Sequence, residues 1–239
     1  LDSQPAIFDT VSAAAGRPAQ PDGPPRAGLL VTFEGGEGSG KSTQLDLLAR
    51  WLEEAGRQVV TAREPGTTAV GEVVRRFLLE TASDALEPEA ELALFLAARA
   101  QLAAEVIAPA LAMGRIVLVD RYGDSSVAYQ GYGRGLDPDA IANANCWLTR
   151  GLDPDLTVLI EAPVGSARTR RRRPPDRLER AGSHFHERVH EGYQRLATSE
   201  PERFCVVDGT QPIEAIQKEI RARMATLLVE RIPQETETP

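Results

Sequence analysis

Residues 29–44 read Leu-Leu-Val-Thr-Phe-Glu-Gly-Gly-Glu-Gly-Ser-Gly-Lys-Ser-Thr-Gln, and no other stretch restricts the possible folds as strongly. An apolar, β-prone run (29–33) enters a glycine-rich turn, and Lys41 with Ser42 then opens an amphipathic helix. From Gly35 to Ser42 the spacing G-x-x-x-x-G-K-[ST] is complete and lies between strand and helix, where that motif belongs. The glycines let the backbone curl so that successive N–H groups point inward at phosphate oxygens, and the helix N-terminus adds partial positive charge. The expected nucleotide cradle is Gly35, Gly36, Glu37, Gly38, Ser39, Gly40, Lys41, Ser42 and Thr43. Within it, Lys41 bridges the terminal phosphates and Ser42 is placed to ligate Mg²⁺. A glycine-rich hairpin would need neither a lysine nor a hydroxyl at its end. Lys41 and Lys218 are the only lysines among 27 basic residues, so lysine is kept where a compact ammonium on a flexible stem suits a phosphate.

The chain has 239 residues, 42% of them hydrophobic, enough for one α/β domain with a sizeable core. A net charge of -8 argues against broad binding to a nucleic-acid backbone. Cys146 and Cys205 lie far apart and form no metal or redox motif, so a reducing, cytoplasmic compartment is expected. No run reads as apolar for long enough to span a membrane, and the first residues lack the cationic start and apolar core of a signal peptide. The chain opens on Leu1 rather than Met, as a processed chain or a piece of a longer one would. Residues 1–27, rich in Ala, Pro, Gly and Gln, read as a disordered extension or linker, and 231–239 as a flexible tail.

Downstream, apolar strands alternate with amphipathic helices. A helix at 42–55 stops at Gly56, a short strand at 58–61 leads into Arg63-Glu64-Pro65-Gly66, and a helix at 69–80 follows. The Ala/Leu-rich stretch 88–113 predicts a buried helix with a break near Pro109. The strand 115–120 ends in Asp120, a carboxylate able to hold Mg²⁺ directly or through water, or else one that simply caps the next helix. Helices are expected at 138–150, from 163 onward, at 183–198 and at 212–230, with strands at 156–161 and 204–208. This alternation predicts an α/β fold of three layers, with a parallel sheet covered on both faces. The glycine loop, the Arg63 loop, Asp120-Arg121 and the Asp208 turn should then share the carboxyl edge of that sheet. The domain is expected to span 28–230.

Taken in order, these blocks resemble bacterial thymidylate kinase over residues 29–229. The blocks are the glycine loop, then Arg63-Glu-Pro-Gly66 with Gly71-Glu72 and Arg75. Asp120-Arg-Tyr-Gly-Asp-Ser-Ser-Val-Ala-Tyr-Gln130 follows as the most specific of them. The resemblance implies a P-loop NTPase fold of the nucleoside-monophosphate kinase type with a mobile lid. It implies transfer of the γ-phosphoryl of ATP to dTMP, giving dTDP and ADP in dTTP synthesis, with Mg²⁺ and in a homodimer. By the same resemblance, Lys41 and Arg121 are catalytic, and Arg63, Arg75 and Arg121 face the acceptor phosphate. Glu37 lies near the acceptor sugar and phosphates, Phe95 stacks on thymine, and Arg99 meets the edge of the base. Ser126 reads the base, Tyr129 lies under the deoxyribose and crowds a 2′-hydroxyl, and Gln130 is a further contact. Taken alone, Phe95 would be core and Arg63 and Arg75 solvated charges, whereas Arg99 in an apolar helix calls for a partner.

Arginine fills five of the six positions from 168 to 173, next to Pro174-Pro175, where this family carries its lid (about 168–182). Positions 36–39 hold no cation, so the lid is expected to bring charge to the transferred phosphoryl, from Arg173 or Arg177. His186-Glu187-Arg188-Val189-His190 satisfies H-E-x-x-H. No zinc is expected there, because all three histidines of the chain lie in or beside this stretch, none remains elsewhere to complete a zinc triad, and Phe185, Val189, Tyr193 and Leu196 already give that helix a structural face. Thr67 stands where the family pattern has a second glycine, and Glu161 where Asp is common. The alternatives that remain are another nucleoside-monophosphate kinase or a non-catalytic P-loop module of a larger chain. The partners expected are ATP, dTMP and a second copy of the chain, with no nucleic acid and no membrane.

Overall fold

A computed structural model describes residues 27–80, 86–163 and 177–231. Residues 1–26 of the expected extension, the expected helix beyond residue 163, the arginine run with Arg173, and all but the first residue of the tail lie outside these residues.

Five parallel strands form one sheet in the order β2-β3-β1-β4-β5. They are β1 (Leu29–Glu34), β2 (Val59–Arg63), β3 (Ile116–Asp120), β4 (Leu156–Glu161) and β5 (Phe204–Asp208). β1 is central, pairing Phe33 with Asp120 on one side and with Val158 on the other. The chain leaves β1 in one direction for β2 and β3, then crosses to β4 and β5, so the order switches at the carboxyl end of β1. A crevice for a ligand opens at such a point.

Helices cover both faces. α1 (Lys41–Glu54) and the last helix, α7 (Ile213–Arg231), pack Leu45, Leu48, Leu52, Ile216, Ile220 and Met224 against Leu29, Val31 and Phe33 of β1. The odd residues of β1 face that layer and the even ones face the opposite layer, as pleating requires. Leu30 packs there, whereas Thr32 and Glu34 bring polar groups into a fully buried strand. Thr32 is satisfied by the Thr157 hydroxyl at 3.0 Å.

The opposite layer holds α2 (Ala69–Glu80), α3 (Pro88–Ala112), α4 (Gly123–Ser126), α5 (Pro138–Thr149) and α6 (Ser183–Ser199). α3 does not break at Pro109. Residues Ala103–Ile107 widen into a π-helical turn just before it, which makes room for a ring that would otherwise strike the carbonyl four residues back. By length and composition α3 could cross a membrane, with a mean hydropathy of 1.5 over 18 residues, contrary to the expectation that no run reaches that length. It also carries the buried Glu91 and Arg99, both held in ion pairs within this fold, so here it is a layer of the domain.

α4 continues as a second π-helical stretch, Val127–Gly133, that the sequence periodicity did not reveal. α6 lies against it at close range, since a Cβ on Gly192 would come within 2.7 Å of the Tyr132 ring.

Candidate active site

The glycine loop leaves β1 through Gly35 at φ +130°, where a Cβ would stand 2.3 Å from the Ile160 carbonyl oxygen. Only glycine fits so close to β4. Lys41 begins α1 and turns its Nζ back onto the loop carbonyls of Gly36 (2.8 Å) and Gly35 (3.2 Å). It is 7% exposed, and burial, then the nearby Arg121 charge, lower its pKa. An incoming phosphate would offer this ammonium stronger acceptors than two carbonyls. Ser39 keeps a buried hydroxyl oxygen with no partner, so the cradle has unused polar capacity. Ser42 Oγ donates to Asp120 Oδ2 at 2.7 Å, joining a hydroxyl and a carboxylate of the type that hold Mg²⁺ beside a nucleotide. The donor set fits that ion.

A cavity of about 710 Å³ runs from this loop to the opposite layer. Its donor end is lined by Glu37 to Gln44, with Gly209, Gln211 and Pro212 after β5, and its far end by Phe95, Ser126, Tyr129 and Gln130. Arg63, Arg75 and Arg121 line it between these ends. Such a volume lies in the usual range for a ligand site, about 300–1,000 Å³. The cradle and the expected acceptor residues therefore meet in one space.

Each of these three arginines is held by its surroundings. Arg63 Nη2 pairs with Glu72 Oε1 at 3.0 Å, and that bond is the first cause holding the Glu72 carboxyl below its usual value. Arg75 Nη1 donates to the Pro65 carbonyl at 2.8 Å. Arg121 is the most enclosed. Its Nη2 donates to Glu37 at 2.6 Å and to the Tyr129 hydroxyl at 3.2 Å, and its Nη1 to Ser125 and Tyr193, both at 3.3 Å. Its guanidinium also lies 5.0 Å from the centre of the Tyr129 ring.

At the far end Phe95 is 9% exposed and faces the cavity. Ser126 Oγ is buried there without a partner, and such a hydroxyl calls for a ligand's polar group. Gln130 spends its amide N–H on the buried Glu91 (2.7 Å), which fixes its rotamer.

Arg99 and Arg177 do not line the cavity. Arg99 lies beneath it, 1% exposed, and donates to Glu64 through Nε (2.9 Å) and Nη2, to the Asn145 side chain, and to the Tyr122 carbonyl at 3.1 Å. Glu64 is the partner that a charge in an apolar helix required. Arg177 Nη2 lies 2.6 Å from Glu91 Oε2 and its Nε donates to the Leu78 carbonyl at 3.1 Å. It is therefore committed to α2 and α3, not turned to the phosphate cradle.

His184, His186 and His190 lie on α6. His184 faces Glu187 at 3.1 Å and His186 packs edge-on against Phe185. Among the described residues no three His, Cys, Asp or Glu are grouped to hold a metal.

Glu34, Glu64, Glu91, Ser125 and Tyr193 were not singled out from the sequence. Glu34 falls just past the expected strand, which ends at Phe33 in the sequence reading and at Glu34 in the structure, and Tyr193 reads as part of an apolar helix face. The one available signal was an acidic residue directly after a mostly apolar run.

Fold and site together define a P-loop phosphotransferase of the nucleoside-monophosphate kinase type, with one sheet edge holding a glycine-loop cradle and an arginine-lined chamber. The thymidylate kinase family model matches residues 33–220, and the chain belongs to the thymidylate kinase family. It is 50% identical over 206 residues to a thymidylate kinase of Leifsonia xyli subsp. xyli, covering 83% of this chain and 95% of that one. It is 46% identical over 214 residues to that of Geobacter sulfurreducens, covering 86% and 99%. A crystal structure of thymidylate kinase from Ehrlichia chaffeensis superposes with a TM-score of 0.69 at 33% identity, covering 83% of this chain and 98% of that one.

Proposed function

We propose that the chain is a working dTMP kinase that moves the γ-phosphoryl of ATP onto the 5′-phosphate of dTMP, giving dTDP and ADP. The observation that carries this is the single cavity lined by both Lys41-Ser42 and Phe95-Ser126-Tyr129. It would bring two nucleotides together by their phosphate ends. Both substrates are anionic, so catalysis consists mainly of alignment and charge neutralisation. Lys41 leaves its two carbonyls for the donor's terminal phosphates, and the loop amides hold the rest. Arg63, Arg75 and Arg121 receive the acceptor phosphate, with Glu37 holding Arg121 in place. Phe95 stacks on the base, Ser126 and Gln130 read its edge, and Tyr129 closes the space a 2′-hydroxyl would need. Arg99 supports that floor from below through Glu64. Ser42 and Asp120 would hold Mg²⁺, directly or through water, and the bound ion would supply charge to offset the donor phosphates.

Because Arg177 is committed to Glu91, the cation from the arginine-rich segment is assigned to Arg173. Residues 28–230 are assigned to the kinase domain, with a lid over about 168–182. Val70, Val73 and Phe77 of α2 and Trp147 of α5 are exposed apolar side chains, Trp147 at 79%, and they fit burial in a homodimer. The two free cysteines fit a reducing, cytoplasmic setting.

A coupled ADP-release assay with dTMP, dUMP, dCMP and AMP tests the proposal. Turnover restricted to dTMP supports it. Preference for another monophosphate favours a different kinase, and none at all favours a non-catalytic module. Lys41→Ala should abolish transfer, and Arg173→Ala should lower kcat far more than ATP affinity.

A further inference from the structure

Glu34 closes β1 on the face it shares with Leu30 and Thr32, and its carboxylate is fully buried. Its two oxygens serve different groups. Oε1 accepts from the Tyr122 backbone N–H at 2.7 Å. Oε2 accepts from Ser125 Oγ at 2.6 Å and from the Tyr193 hydroxyl at 2.8 Å. Both of those hydroxyls accept from Arg121 Nη1.

We infer that Glu34 is the positioning residue for Arg121: it sets the direction of the hydrogen bonds through which Ser125 and Tyr193 hold that guanidinium. Each hydroxyl has one proton. While Glu34 is a carboxylate it can only accept, so both protons point at it and lone pairs are left facing Arg121. The other oxygen holds the backbone of the same arginine. Arg121 has φ +71°, a conformation that costs a non-glycine residue. Its own N–H donates to Phe33 at 3.0 Å and the following N–H donates to Glu34. One buried carboxylate thus fixes the arginine from its main chain and from its side chain. This inference rests on the reading that Arg121 receives the acceptor phosphate.

Glu34→Gln is the discriminating variant because it keeps shape and reverses polarity. The Tyr122 N–H requires the amide oxygen at the Oε1 position, so the amide nitrogen must occupy that of Oε2. It then donates to both hydroxyls. At most one freed proton can be absorbed between Ser125 and Tyr193, which lie 3.0 Å apart, and at least one turns on the guanidinium.

The experiment measures steady-state kinetics at pH 8 for Glu34→Gln, Tyr193→Phe, Ser125→Ala and Glu34→Gln/Tyr193→Phe, with Arg121→Ala alongside. Glu34→Gln should lower kcat/KM for dTMP about tenfold, a hydrogen bond to a charged group, while leaving the KM for ATP within about twofold. Tyr193→Phe and Ser125→Ala should lower it by about threefold. Adding Tyr193→Phe to Glu34→Gln should cost nothing more, since it removes a misdirected proton. An unchanged kcat/KM for dTMP in Glu34→Gln, or equal losses toward ATP and dTMP, overturns the proposal. If Glu34→Gln does not fold, the two hydroxyl variants decide it, and unaltered dTMP kinetics in both overturns it. Arg121→Ala separates the two layers of inference. A strong dTMP defect there with a normal Glu34→Gln refutes the role of Glu34 alone, whereas normal dTMP kinetics in Arg121→Ala refutes the reading of Arg121 and the proposal with it.

Discussion

Ser42 and Asp120 meet at 2.7 Å across 78 residues of sequence. One opens α1 and the other closes β3, so the contact exists only because β1 and β3 are paired in register. Asp120→Asn keeps the shape and removes the charge that a divalent cation needs. It is expected to raise the Mg²⁺ concentration for half-maximal activity by about tenfold or more and to lower kcat, with a much smaller effect on metal-free ATP binding. Magnesium titrations of activity beside calorimetric ATP binding in EDTA check this. Equal magnesium requirements in both proteins would show that Asp120 serves only to hold Ser42, since the following helix has Tyr122 as its N-cap and no side-chain cap.

Arg177 and Glu91 make a prediction of the opposite kind. Glu91 is fully buried, and although burial opposes its ionisation, donors from Gln130 and Arg134 hold its pKa below the usual value. Arg177→Ala leaves a buried carboxylate short of one cation, and breaking such a pair costs about 3–5 kcal/mol. Arg134 remains, at 3.1 Å from Glu91 Oε2, so the lower end is expected. Thermal unfolding should show the loss, while kcat measured well below the melting temperature stays near that of the parent. A kcat collapse at unchanged stability would return Arg177 to the catalytic role first expected for it.

What could be read from the sequence depended on the range of each interaction. The phosphate cradle was legible because its geometry is local: strand, glycines, lysine and hydroxyl lie within sixteen residues. The sheet was legible because buried strands are continuous apolar runs bounded by turn residues. The widened turns at Ala103–Ile107 and Val127–Gly133 were not, since a π-turn offsets the helical pattern by one residue and each stretch is too short to display that shift. Arg99 announced that it needed a partner, but nothing in its helix could say that the partner was Glu64, 35 positions away. Glu34 was hidden for the same reason, as its partners come from α4 and α6. Charge pairs closed by tertiary structure have no periodicity to reveal them.

Thr67 sits at φ +67°, where a β-branched residue is strained. Its side chain supplies compensation: Oγ1 accepts from the Arg63 N–H at 2.9 Å and donates to the Arg63 carbonyl at 3.2 Å, while its own N–H reaches Glu72 at 2.9 Å. The same Glu72 holds the Arg63 guanidinium. Thr67→Gly should relieve the strain, worth about 1 kcal/mol, yet lose both hydroxyl bonds. The expected outcome is stability changed by less than about 1 kcal/mol with a KM for dTMP raised severalfold. Thr67→Ser keeps the hydroxyl and should keep the parental KM. A glycine variant with parental KM would make Thr67 a neutral replacement.

Glu34 predicts opposite pH trends for stability and activity. Its carboxyl is pushed up to about 7, first by burial and then by Asp124, against the pull of Arg121, Ser125 and Tyr193. The folded protein therefore holds this proton more tightly than the unfolded chain. The stabilisation is fully present below about pH 4.5 and is lost as pH rises through about 7. Each tenfold tightening of proton binding corresponds to about 1.4 kcal/mol, so its full size is on the order of 3 kcal/mol. The melting temperature of the parent minus that of Glu34→Gln should accordingly be larger at pH 5 than at pH 8, a difference that cancels the other titrating groups. Activity should run the other way. A protonated Glu34 donates to one of the two hydroxyls and reverses the polarity that holds Arg121, so kcat/KM for dTMP should fall as pH drops through about 7. The substrate phosphate takes up its own proton near about pH 6, and Glu34→Gln provides the control that keeps only that step. Parallel acid limbs in parent and variant would leave Glu34 with no part in the pH dependence.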